Sequence, residues 1–153
     1  MTENYKYQLE EGKEFEKYVK KQLQEKKQLH LDIIEDEVNQ YTIGETIQGY
    51  EIKYDKKYKD TGNLYIEIKE KTNPNNAKFV LSGIFRQDNT HTWIIGNYDE
   101  VYMFKKDTLI EIYNKQEYVR YVKTLTSHGV LLNKALIDKH NIEHIYFEKK
   151  PNK

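Results

Sequence analysis

No cysteine occurs in the 153 residues, which excludes disulfide staples and any thiolate-ligated zinc or iron–sulfur centre. That absence suits a reducing interior. Proline appears only at Pro74 and Pro151, and no Gly/Ser-rich linker is visible. Nothing marks a domain boundary, and the length fits one domain, so residues 1–153 read as a single unit. No apolar run approaches the ~18–20 residues of a membrane span. The start, Met1-Thr2-Glu3-Asn4, is acidic and polar and lacks the apolar stretch of a secretory leader. The expectation is a cytoplasmic chain with no membrane partner. Net charge is also missing: 25 Lys and Arg balance 25 Asp and Glu, so no global field draws the chain to nucleic acid. Any such binding must come from local clusters of lysine. There is no solenoid-length repeat, and no P-loop, G-x-G-x-x-G or G-x-S-x-G motif.

What the chain does have is aromatic weight. Fourteen Tyr, five Phe and one Trp argue against disorder, because disordered segments lack aromatics. Residues 10–27 read as a helix, with Phe15, Tyr18, Val19, Gln22 and Leu23 on one side at 3.6 spacing. Residues 29–35 read as a first strand. Residues 50–55 and 64–70 alternate strictly, and the polar loop Lys56 to Asn63, ending Thr61-Gly62-Asn63, joins them as an antiparallel hairpin. Asn73-Pro74-Asn75-Asn76 is turn chemistry. Residues 92–96 and 101–104 read as strands around a turn, 109–113 as a short strand, 115–126 and 132–139 as helices, and 145–148 as an edge strand. The pattern predicts an α/β (α+β) fold with a mixed sheet flanked by helices.

A period of two places Glu51, Lys53 and Asp55 on one face of the first alternating run, and Tyr65, Glu67 and Lys69 on one face of the second. One reading of this charged surface is a solvated sheet face with cross-strand salt bridges. The other is chemical. Hard divalent cations take oxygen ligands, often one or two carboxylates, and acidify bound water. A neighbouring lysine holds that water or neutralises a phosphate.

An acidic residue closing one strand, a turn, and Glu-x-Lys on the next resembles the PD-(D/E)XK nuclease superfamily. The run Gly49 to Asp55, then Thr61 to Lys69, followed by Ser82-Gly83-Ile84 and the aromatic strand Thr92-Trp93-Ile94-Ile95, resembles a phage and prophage branch of it. The resemblance implies a restriction-endonuclease-like mixed central sheet flanked by helices. It implies a magnesium-dependent deoxyribonuclease, with manganese able to substitute, working in a bacterial or phage-infected cell. Attack by water would leave a 5′-phosphate and a 3′-hydroxyl. Carried over, Asp55 and Glu67 are the metal carboxylates, Lys69 is the motif lysine, and Glu16 is the added helix carboxylate. Tyr54, not Pro, precedes Asp55. Glu51 is the alternative first carboxylate if the hairpin is symmetric about Lys59, and Glu51-Ile52-Lys53 is itself also a Glu-x-Lys.

Around that site, Lys56, Lys57 and Lys59 read as phosphate holders, and Tyr58 as a platform for stacking a base; a solvated turn is the plain alternative. Ser82 and Gln87 are candidates to position water. DNA is the expected partner, RNA the competing substrate, and double-strand cleavage by so small a chain favours a homodimer. An inactive nuclease fold serving as a binding or inhibitory module is the alternative function. His140-Asn141-Ile142-Glu143-His144 matches the H-x-x-E-H zinc pattern. Asn141 reads instead as a helix end before Ile145-Tyr146-Phe147, so no zinc site is expected.

Overall fold

The computed structural model describes residues 3–71, 73–75 and 78–148, with side chains from residue 6 onward. Asn76 of the turn and the basic tail beyond residue 148 lie outside the described residues. The elements are α1 (Glu3–Lys27), α2 (Glu37–Thr42), β1 (Tyr50–Tyr54), α3 (Tyr58–Thr61), β2 (Asn63–Glu70), β3 (Val80–Leu81), a 3-10 turn (Gly83–Phe85), β4 (Thr92–Gly96), β5 (Glu100–Lys105), α4 (Lys106–Asn114), β6 (Tyr121–Lys123), β7 (Ser127–Asn133), α5 (Lys134–Lys139) and β8 (Glu143–Tyr146).

The strands form two four-stranded sheets. The first has the order β1-β4-β5-β8, with β1 parallel to β4 and the other pairs antiparallel. The second, β3-β2-β7-β6, is antiparallel throughout. The α+β class with a mixed sheet therefore stands. Phe15, Val19 and Leu23 recur along one stripe of α1 and bury fully against Ile52, Ile94 and Val101 on one face of the first sheet. The helix ends where Gln28 turns left-handed (φ 52°) and the Leu29 N–H returns to the Leu23 carbonyl at 3.2 Å, a Schellman-type ending. The other face of the first sheet, with Trp93, Ile95, Tyr102 and Phe104, packs against Leu64, Ile66, Ile68, Val130 and Leu132 of the second. Among the described residues no helix is long and apolar enough to cross a membrane.

The expected hairpin does not form. β1 and β2 belong to different sheets, and the loop between them holds α3, closed by Gly62 in the left-handed region (φ 73°). Alternation shows that each run buries one face; it does not name the strand that pairs with it, and β4 and β7 are distant in sequence. Residues 29–35 supply only an isolated bridge, Ile33 to Thr46. Residues 109–113 are helical, because Leu109 and Ile112 bury together at helical spacing in α4. Residues 115–126 are not a helix; they contain β6, while β7 follows unforeseen. The helix expected at 132–139 is α5, with the Asn133 side chain capping the Leu136 N–H at 2.9 Å. β8 is an edge strand, as expected.

Candidate functional site

On β1, Tyr50, Ile52 and Tyr54 turn toward α1, so Glu51, Lys53 and Asp55 take the opposite side. β1 is the edge of its sheet. Its free edge is closed by Glu45, whose carboxylate accepts the Ile52 N–H. Glu45 is 8% exposed. Burial pushes its carboxyl well above the usual carboxylate range, and the adjoining Glu16 carboxyl from α1, then Glu51, push the same way. Glu51 is equally buried and accepts a hydrogen bond from the Thr90 hydroxyl at 3.4 Å.

Lys53 answers this acidity. Its Nζ lies 3.4 Å from Glu51 Oε1, and 52% of its side chain remains exposed. The charge of Glu51, with those of Glu45 and Glu67, holds the ammonium above the usual lysine range against the opposing effect of desolvation. Lys53 also sits 5.9 Å from the Trp93 ring centroid. Three carboxyl groups, those of Glu51, Glu45 and Glu67, thus act on one lysine.

Asp55 has another task. Its Oδ1 accepts the Tyr58 N–H at 3.1 Å, starting the α3 turn, and its Oδ2 accepts the Tyr65 N–H at 2.8 Å. The carboxylate thereby ties the end of β1 to β2. Burial raises its pKa, while these backbone donors pull the other way.

Glu67 lies on the outer face of the second sheet and accepts the Ser127 hydroxyl at 3.1 Å. Burial raises its carboxyl pKa and Glu70 adds to the rise, while Lys53 and Ser127 oppose it. A β-bulge then interrupts β2. Glu67 pairs with Gly129, but Lys69 pairs with His128 and Glu70 with Ser127. Residues paired across a ladder share a face, so the extra residue moves Lys69 to the other side of the sheet. The expected common face of Glu67 and Lys69 is corrected by this geometry. Lys69 stands instead with Lys71 and Lys123 around His128, whose pKa falls through burial and these charges.

Of the remaining sequence candidates, Ser82 is buried and donates its N–H to the Ile68 carbonyl at 2.9 Å. Gly83 follows at φ 56°, so close to β2 that an added Cβ would stand 2.0 Å from the Glu67 carbonyl oxygen. The Ser82-Gly83-Ile84 run therefore backs Glu67. Gln87 is exposed. Lys56 pairs with Glu11 at 2.9 Å, and Lys57 and Lys59 are exposed. Tyr58 does not offer a stacking surface: it is 8% exposed and its hydroxyl bonds that of Tyr102 at 2.9 Å. Its apolar ring was needed in the core. The two histidines of the zinc pattern diverge, His140 toward Glu117 at 3.6 Å and His144 toward Glu100 at 3.4 Å, and Asn141 between them is left-handed (φ 53°).

Sequence reading passed over Glu45, which lies on a segment with no periodicity, and left Lys53 on a charged face. The available signal was the Glu-x-Lys run Glu51-Ile52-Lys53. A cavity of about 640 Å³ opens beside Lys53, Asp55 and Glu67 and runs to Ser127 and Arg120. Among the described residues, no three His, Asp or Glu side chains converge as a ready ligand set for a metal. The oxygens of Glu45 and Glu51 are of the donor type that hard divalent cations take, with water and phosphate oxygens completing the shell. Compared with models of protein families, with curated proteins and with solved structures, the chain matches none.

Proposed function

We propose that this chain hydrolyses phosphodiester bonds of DNA with magnesium, as the PD-(D/E)XK resemblance implies, and that its working Glu-x-Lys is Glu51-Ile52-Lys53. One observation supports this reading above others: the Lys53 ammonium stands among Glu51, Glu45 and Glu67 at the mouth of an open cavity. Glu51 and Glu45 would hold the cation, with Glu16 beside them from α1. The bound ion would supply charge neutralisation and a more acidic water. Lys53 neutralises a phosphate oxygen of the substrate and fixes it against the carboxylates. Glu67, kept partly desolvated and hydrogen-bonded by Ser127, faces the same opening and orients water. Asp55 acts by position, holding β1 and β2 at the distance that shapes the cavity. The partner in this reading is DNA in a cytoplasmic setting, and duplex cleavage would call for a dimer.

A second reading has its own support. The carboxylates do not converge, and both Asp55 oxygens serve the backbone, as in a nuclease fold retained for binding or inhibition. A cleavage assay over linear, circular, branched and single-stranded DNA, with wild type beside Glu51→Gln, tests the first reading. Calorimetric titration with Mn²⁺ separates the two. Folded wild type that leaves every DNA intact and binds no Mn²⁺ would establish the second.

A further inference from the structure

The cavity beside Lys53 has the wrong character for a duplex backbone. Its wall past the charged mouth is built from Tyr65, Val122 and Leu131 on the outer face of the second sheet, with Trp93 and Ile95 on the first. A phosphodiester backbone is polar and anionic and gains nothing from an apolar chamber. A purine or pyrimidine ring gains both burial and stacking, which is worth ~1–3 kcal/mol per base on an aromatic platform. The volume of about 640 Å³ lies within the ~300–1,000 Å³ of pockets that enclose small ligands.

The rim supplies the complementary charge. Lys57 and Arg120 border the cavity, and neither makes an ion pair among the described residues, unlike Lys53 with Glu51 and Lys56 with Glu11. Ser127 and Thr124 also line the cavity, the Ser127 hydroxyl donating to Glu67 and the Thr124 hydroxyl to the Ser127 carbonyl. The net charge is zero, so no global field draws the chain to the many phosphates that a duplex-binding surface neutralises. Trp93, buried in the wall, carries an indole N–H with no hydrogen-bond partner.

We infer that this cavity receives an unpaired nucleobase, with flanking phosphates on Lys57 and Arg120, so that the substrate is a single-stranded or extruded segment. The inference rests on the phosphodiesterase reading for its consequence, but it is a statement about binding and is testable without cleavage. A base inside a duplex cannot enter unless it leaves the stack, whereas a single strand pays no such cost.

The test is fluorescence anisotropy in EDTA, where no cleavage occurs, using labelled single-stranded and duplex oligodeoxynucleotides of the same sequence and a matching oligoribonucleotide. The single strand should bind at least about tenfold more tightly than the duplex. Two phosphate contacts give a slope of log affinity against log salt near −1.4. Val122→Trp fills the chamber and should lose that preference, with the fold checked by circular dichroism; Arg120→Ala, at an exposed position, should weaken binding and flatten the slope without altering the fold. Preference for duplex, or unchanged single-strand affinity in both variants, overturns the inference. Preference for either sugar supports it, the two arms deciding which. Retained single-strand binding without Mg²⁺-dependent cleavage would reject the catalytic reading alone.

Discussion

Glu67 and Lys69, two positions apart on β2, face opposite sides of the second sheet, because the ladder with β7 slips by one residue between them. A pair written as Glu-x-Lys in sequence is thereby separated in space, while Glu51 and Lys53, on an unbroken strand, remain 3.4 Å apart at their charged atoms.

The first expected outcome follows directly. Lys53→Ala should lower Mg²⁺-dependent cleavage by ~10²–10³, the usual cost of removing a charge-stabilising group at a reacting phosphate. Lys69→Ala should stay within a few-fold of wild type. Single-turnover rates on one oligonucleotide decide this; the reverse ranking would return the site to β2.

Asp55 is expected to matter through the fold. Asp55→Ala leaves the N–H groups of Tyr58 and Tyr65 without their acceptor, a loss of about 3–6 kcal/mol for two hydrogen bonds to a charged group. Urea midpoints measure it. Unchanged stability with abolished cleavage would restore Asp55 to a direct chemical role.

Glu45 sets a pH dependence. Its folded pKa lies well above the ordinary 4.5, so above that value the unfolded chain gives up a proton that the folded chain keeps. The stabilisation is complete below the ordinary value and is lost as pH rises toward the folded one, at up to about 1.4 kcal/mol per unit. Glu45→Gln retains an oxygen for the Ile52 N–H and cannot ionise. In EDTA, its urea midpoint should overtake that of wild type increasingly as pH rises above about 4.5. Parallel pH profiles would show that Glu45 titrates normally.

Gly83 is fixed by two constraints, a left-handed φ of 56° and the 2.0 Å between an added Cβ and the Glu67 carbonyl oxygen. Gly83→Ala should cost about 1–3 kcal/mol and displace Glu67 with it. Thermal melts read the first effect and residual cleavage the second. Gly12, where a Cβ meets nothing within 4 Å, serves as the control for Gly→Ala.

Tyr58→Phe removes the hydroxyl bonded to Tyr102 at 2.9 Å and should cost about 1 kcal/mol, with oligonucleotide affinity unchanged. A large loss of affinity instead would mean that the ring leaves the core to meet a base.

The amino-acid sequence by itself determined which faces are apolar. Phe15, Val19 and Leu23 on the helix, and the alternating Ile and Leu of β1 and β2, follow from periods of 3.6 and 2 that any solvent-facing element must obey. It also showed carboxylates beside lysines and, among several Glu-x-Lys runs, two in alternating segments without a way to choose between them. Tertiary structure alone set the two apart in space: Glu51 and Lys53 stay together, while Glu67 and Lys69 part across the sheet. Strand pairing joins residues far apart in the chain, β1 with β4 and β2 with β7, so no local pattern reveals it. The bulge exists only relative to a partner strand, since register is a relation between two ladders. The enclosure that gathers Glu45, Glu51 and Lys53 comes from packing, whose energy depends on which surfaces meet and not on the order in which their residues are written.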